Sequence, residues 1–130
     1  MFEAVTKEIS VRVEPHFLDE QSSPEDHHFF WAYYVEIENK GEEPVRLRAR
    51  HWRITNGLGA IQEVNGEGVV GEQPVILPGE TYRYTSGAPL GTPSGFMDGW
   101  YKMESGTGED FNVDIPVFSL DSPYDEHIVN

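Results

Sequence analysis

Apolar and polar positions alternate with a period of two along most of this chain, the signature of half-buried β-strands. In a first run Val5, Lys7, Ile9, Val11 and Val13 share one face, and Thr6, Glu8, Ser10, Arg12 and Glu14 share the other. In a second run Phe29, Trp31, Tyr33, Val35 and Ile37 form the inward face, opposite Phe30, Ala32, Tyr34, Glu36 and Glu38. Asn39, Lys40, Gly41 and Glu42 then supply a turn. A third run, from Val45 to Thr55, changes phase midway: Val45, Leu47 and Ala49 are in step, and Trp52 and Ile54 are one residue out. A one-residue slip sends every later side chain to the other face, so the pattern predicts a β-bulge near Arg50. It buries Trp52 and Ile54 and sets Arg50 at the core margin, its guanidinium held by backbone carbonyls or a carboxylate.

Shorter runs follow near Ala60–Val64, Val69–Gly71, Thr81–Ser86, Met97–Met103 and Phe111–Phe118. Pro116 inside the last predicts an edge strand or a second bulge. Only Ser23, Pro24, Glu25 and Asp26 resemble a helix start, and the strand pattern resumes too soon for more than one turn. Seven or eight antiparallel strands joined by turns rich in the chain's 13 glycines and 9 prolines predict an all-β fold, an immunoglobulin-like sandwich. The Cys-Trp-Cys pattern of true immunoglobulin domains is missing, so a fibronectin type III-like topology is favoured, with a closed barrel as the alternative. The chain reads as a single domain, 1–130, whose polar end, 121–130, is expected to be loose.

Composition narrows the partners. With 9 basic and 23 acidic residues the formal charge is −14. Nucleic acid is not an expected partner, because phosphate affinity needs clustered Lys and Arg. The longest apolar run, Phe29 to Val35, is far below the ~20 residues a membrane span needs, so membrane insertion is not expected. The N-terminal residues lack the basic start and apolar stretch of a signal peptide, and the chain reads as cytoplasmic. Zero cysteines remove thiolate metal sites and cysteine nucleophiles.

Candidate chemistry is sparse. Arg46, Arg48, Arg50 and Arg53 form the only basic island, in an acid-free stretch from residue 45 to 60. Arginine forks fit carboxylates and phosphates, but a solvated strand face paired with glutamates has the same composition. Gly66, Gly68 and Gly71 match G-x-G-x-x-G, yet Pro74 and a Pro78-Gly79 turn follow where a dinucleotide fold needs a helix. Plain turn and bulge geometry accounts for them, and a loop that brings backbone close to a ligand is the sharper reading. Arg50, Gly66, Gly68, Gly71 and Gln73 are therefore the candidate site for an anion or partner. The five histidines are badly spaced for a metal; Glu25 to His27 and Asp125 to His127 could collect a cation only weakly. Tyr84 to Gly87 holds a serine but not G-x-S-x-G. No cofactor, metal or catalytic residue is expected, and the chain reads as non-enzymatic.

Aromatic residues exceed what the alternating core needs. Phe30, Tyr34, Phe96 and Trp100 fall on outward parity. Were their two strands neighbours, the four would form one apolar patch, a candidate interface for a protein partner or for a second copy in a homodimer.

Several of these residues stand in a familiar order. Arg50-x-Trp52-x-Ile54, the run from Glu63 through Gly66, Gly68, Val69, Val70 and Gly71 to Gln73-Pro74, Pro78-Gly79, Tyr84-Thr85-Ser86-Gly87 and Gly95-x-Met97-x-Gly99-x-Tyr101 together resemble the ApaG (CorD) family over residues 4 to 118. Asn56 departs from the aspartate common there and leaves the turn intact. The resemblance implies a fibronectin type III-like sandwich and a link to cobalt resistance and magnesium efflux in bacteria, with no established catalytic activity. Related eukaryotic domains in F-box proteins and a polymerase-interacting protein imply partner binding. A diadenosine tetraphosphate hydrolase gene beside the bacterial gene makes a small-ligand sensor for a pyrophosphate-containing nucleotide the alternative.

Overall fold

The computed structural model describes residues 1–124. One antiparallel sheet contains β1 (Phe2–Thr6), β2 (Ile9–Phe17), β3 (Phe29–Asn39) and β7 (Thr81–Leu90), in the order β1-β2-β3-β7. The other contains β4 (Val45–Asn56), β5 (Ile61–Glu67), β8 (Gly95–Ser105) and β9 (Asp110–Leu120), in the order β5-β4-β8-β9, with the two-residue β6 (Val75–Ile76) also on β4. Among the described residues no strand pair joins one sheet to the other, so the fold is the expected sandwich and not the closed barrel. The described residues form nine strands, one or two more than the pattern predicts.

The first difference lies at the N-terminus. What reads as one strand from Val5 to Val13 is a hairpin, β1 against β2, turning at Lys7 and Glu8. Both turn residues have positive φ, 46° and 67°, the geometry that Asn-Gly normally signals. Lys-Glu carries no such signal, so periodicity ran straight through the turn. Val5 and Lys7 consequently leave the core face, and Val5 is 57% exposed. The Val69–Gly71 run is the second difference: it is a tight turn bridged by Val69 and Glu72.

The bulges fall close to where the phase change puts them. β4 slips against β8 between Leu47 and Ala49, at Arg48 and two residues before Arg50. Trp52 and Ile54 are buried as a result. β9 slips between the partners of Met97 and Gly99, leaving Pro116 and Val117 unpaired, so Pro116 lies at a bulge and on an edge strand. Opposite the slip, Gly99 lets β4 approach so closely that a Cβ there would lie 2.0 Å from the His51 carbonyl oxygen.

Trp52 packs edge-on to Tyr33 at 5.3 Å and to Phe118 at 6.0 Å, at the centre of the core. β1 and β2 lie over β9, and the Asp114 amide donates to Thr6 Oγ1 at 3.1 Å, so one side of the sandwich is closed. A 3-10 turn at Pro24–Asp26 is the only helical segment among the described residues, and no helix is long and apolar enough to cross a membrane. At the chain end, side-chain and backbone bonds reach as far as Tyr124. Trp31 Nε1 donates to the Asp121 carbonyl at 2.8 Å, Ser122 is buried, and Tyr124 Oη donates to Asp19 at 3.0 Å. The remainder of the expected loose tail, with the Asp125 to His127 cation candidate, lies outside the described residues.

Candidate binding face

Arg50 follows the bulge and therefore points inward. Its Nη1 donates to the carbonyls of Glu67 at 3.1 Å and Gly68 at 2.8 Å, so carbonyls and not a carboxylate hold it. Gly66 pairs with Arg50 across β4 and β5, and a Cβ there would lie 2.7 Å from the guanidinium. Gly68 has φ +62°, and its Cβ would lie 2.0 Å from the Glu72 carbonyl oxygen. The Gly68 amide and Gln73 Nε2 both donate to the Arg48 carbonyl, at 2.8 and 2.9 Å, which ties the loop to the bulge. Val69 and Glu72 exchange amide bonds of 2.8 and 2.9 Å around Val70 and Gly71, both at positive φ. The structure thus gathers Arg50, Gly66, Gly68 and Gln73 into one unit, with Gly71 at the tip of its turn. The amides of Gly68, Val69 and Glu72 are all spent inside the protein. This geometry clamps an arginine and a bulge, and of the loop's amides it leaves those of Val70 and Gly71 at the turn tip without a protein partner among the described residues.

Beside Arg50 lies a group the outward-aromatic argument passes over. Tyr84 and Tyr101 join hydroxyl to hydroxyl between the sheets. Burial pushes both far above the usual tyrosine range, against the opposing charge of Arg50, and Tyr33 is raised by burial too. Tyr82 donates to Glu72 at 3.0 Å, and burial followed by that carboxylate raises it. The signal lies in the alternation along β7, where Tyr82 and Tyr84 share the parity of the buried Ala88 and Leu90.

The four outward aromatics do not form one patch. Phe30 and Tyr34 are on β3, and Phe96 and Trp100 are on β8, in the other sheet. Outward faces of a two-layer sandwich point in opposite directions, so parity was right and the neighbour assumption was not. On the first sheet Phe30 is half-buried with its ring over Gly87, and Tyr34 is 42% exposed with its edge toward His16 at 5.1 Å.

The second sheet offers more. Trp100 stacks on His51 across β4 and β8, with ring centroids 4.0 Å apart and planes 19° apart. The pair walls a groove of about 500 Å³ whose floor includes Ala49 and Gly66, bounded on the other side by Glu67, Lys102 and Asn112. His51 Nδ1 donates to Asn65 Oδ1 on β5. His51 Nε2 is buried without a hydrogen-bond partner, 3.6 Å from Glu63. Phe96 is 43% exposed on the same face, near Ile61 and Val117, which are also exposed. His51, Asn65 and Asn112 were not among the expected site residues. The bulge that turns Arg50 inward turns His51 outward, a consequence the phase change already contained.

The fold is a small antiparallel β-sandwich with a tyrosine-lined arginine clamp inside and an aromatic groove on one outer face. The chain belongs to the ApaG family: the model of the ApaG domain matches residues 19–105. It is 55% identical to "Protein ApaG" of Parvibaculum lavamentivorans over the full length of both chains. It is 62% identical to that of Afipia carboxidovorans over 123 residues, 95% of each. The crystal structure of the putative ApaA protein from Bordetella pertussis superposes with a TM-score of 0.87 at 45% identity, covering 90% of this chain and 95% of that one.

Proposed function

We propose that this protein is a non-enzymatic interaction module that binds a protein partner through the outer face of its second sheet. The observation that carries the reading is the Trp100–His51 stack walling a groove, with Phe96 exposed farther along the same face. Large rigid aromatics beside a hollow are the usual anchors of an interface. The groups at the groove are amide, indole, imidazole, carboxylate, ammonium and guanidinium, which suit recognition. A formal charge of −14 sets two copies against each other, so the reading favours a basic partner over a homodimer and disfavours nucleic acid. The link to cobalt resistance and magnesium efflux runs, on this reading, through that partner and not through a bound ion. A cytoplasmic setting fits a chain without cysteine. The nucleotide-sensor alternative draws less support, because the loop commits the amides of Gly68, Val69 and Glu72 internally and carries Glu67 and Glu72, which repel phosphate, on either side of its tip.

A photo-crosslinking residue placed at position 96, and separately at position 34, tests the reading in the native host. The expected result is one protein, identified by mass spectrometry, joined through position 96. Adducts through position 34 alone, or none, would refute it.

A further inference from the structure

We propose that the groove recognises a cationic side chain, lysine or arginine, carried on an extended segment of the partner; this rests on the reading of the second sheet as the partner-binding face. The groove crosses β5, β4, β8 and β9. Three strand spacings are about 14 Å, the reach of about four extended residues. Asn65 stands near one end and Asn112 at the other, and side-chain amides can donate to and accept from a peptide backbone.

The charges around the groove are not balanced. Arg53 holds Asp98 at 2.7 Å, Lys102 holds Asp110 at 3.5 Å and Arg48 holds Glu104 at 3.5 Å. These three bases are already paired, while Arg46, at the far end of β4, has no acidic partner among the described residues, and Arg50 is turned inward onto carbonyls. Glu63, Glu67 and Asp114 pair with no Lys or Arg among the described residues, and all three stand on the face that carries the groove, Asp114 directly opposite Trp100. The groove thus presents an indole wall with Glu67 in its lining and Asp114 beside Trp100, while the Lys102 of its lining is engaged by Asp110. An ammonium or guanidinium gains from the indole and from these carboxylates, through cation–π attraction and ion pairing. A donor arriving at Glu63 would also come beside His51 Nε2, the buried nitrogen left without a partner. The net charge draws such a ligand in at long range.

The test is an NMR titration of the ¹⁵N-labelled protein with the peptide acetyl-Ala-Arg-Ala-Arg-amide, its citrulline counterpart and its glutamate counterpart. The arginine peptide is expected to give saturable one-to-one shifts at the Trp100 indole N–H and the side-chain amides of Asn65 and Asn112, with Kd at or below about 1 mM. Citrulline, or Glu63→Gln with Glu67→Gln, should weaken it about tenfold or more. Equal binding of the citrulline or glutamate peptide, shifts spread evenly over both sheets, or no saturable shift would overturn the proposal. The two readings fail separately. A partner that still crosslinks through position 96 while the arginine peptide does nothing removes the cation site alone. A saturable arginine site without any crosslinked partner removes the partner face and leaves the cation site.

Discussion

At the scale of single residues, burial decides most of the chemistry. The hydroxyls of Tyr84 and Tyr101 lie between the sheets and keep their protons well above the usual tyrosine range. An unfolded chain loses those protons near pH 10, while the native state keeps them. The unfolded state then binds fewer protons, so stability falls as pH rises above about 10, by up to about 1.4 kcal/mol per pH unit for each group. Urea unfolding between pH 8 and 11.5 should show this fall, and Tyr101→Phe should flatten it. A profile unchanged by Tyr101→Phe would mean that the pair is not the source. Gly66 gives a second residue-scale prediction. A methyl group at 2.7 Å from the Arg50 guanidinium must displace it from the Glu67 and Gly68 carbonyls. Gly66→Ala should cost about 1–3 kcal/mol in chemical denaturation. No loss would show that the clamp does not matter to stability.

At the scale of elements, turns and bulges set which face each side chain takes. Val70 is a β-branched residue in the left-handed region at φ 49°, 64% exposed, in a turn that asparagine or glycine suits. Val70→Asn should raise stability by about 1 kcal/mol, seen as a higher midpoint at unchanged slope. A drop would mean that the valine side chain makes a contact that offsets its strain. Trp52 owes its place to the slip at Arg48, and Trp52→Ala should cost about 3–5 kcal/mol. Quenching of Trp52 fluorescence by iodide in the native state would contradict the register. The same elements show how far sequence reaches. The break of phase between Ala49 and Trp52 is visible in the residues, and with it the inward turn of Arg50. The turn at Lys7 and Glu8 is not visible, because nothing in Lys-Glu marks positive φ. Periodicity reports a face and is silent about the point where a strand doubles back.

At the scale of the whole molecule, the fold and the site differ in how legible they are. Two sheets, short turns and the core positions follow from alternation that each strand repeats on its own. A site depends on which strands become neighbours, and parity along one strand does not contain that information. Phe30 and Tyr34 are outward as expected, and so are Phe96 and Trp100, yet the topology places them on opposite faces. The Trp100–His51 stack exists because β4 lies beside β8, a pairing between segments far apart in the chain. Charge acts at this scale too. With a formal charge of −14, the affinity of a basic partner should fall as salt shortens the screening length from about 10 Å at 0.1 M to about 3 Å at 1 M. Affinity that holds steady over that range would argue for an interface without the ion pairs described.

The most direct measurement compares the two faces. The protein crosslinked through position 96 is titrated calorimetrically against the wild type, the Phe96→Ser/Trp100→Ser variant and the Phe30→Ser/Tyr34→Ser variant, each first shown to be folded by its circular dichroism melt. The loss of two interface anchors at about 2 kcal/mol or more each predicts at least a hundredfold weaker binding for the second-sheet variant. The first-sheet variant should bind as the wild type does. Undiminished binding by the Phe96→Ser/Trp100→Ser variant, with binding lost from Phe30→Ser/Tyr34→Ser, would contradict the account and move the site to the other face.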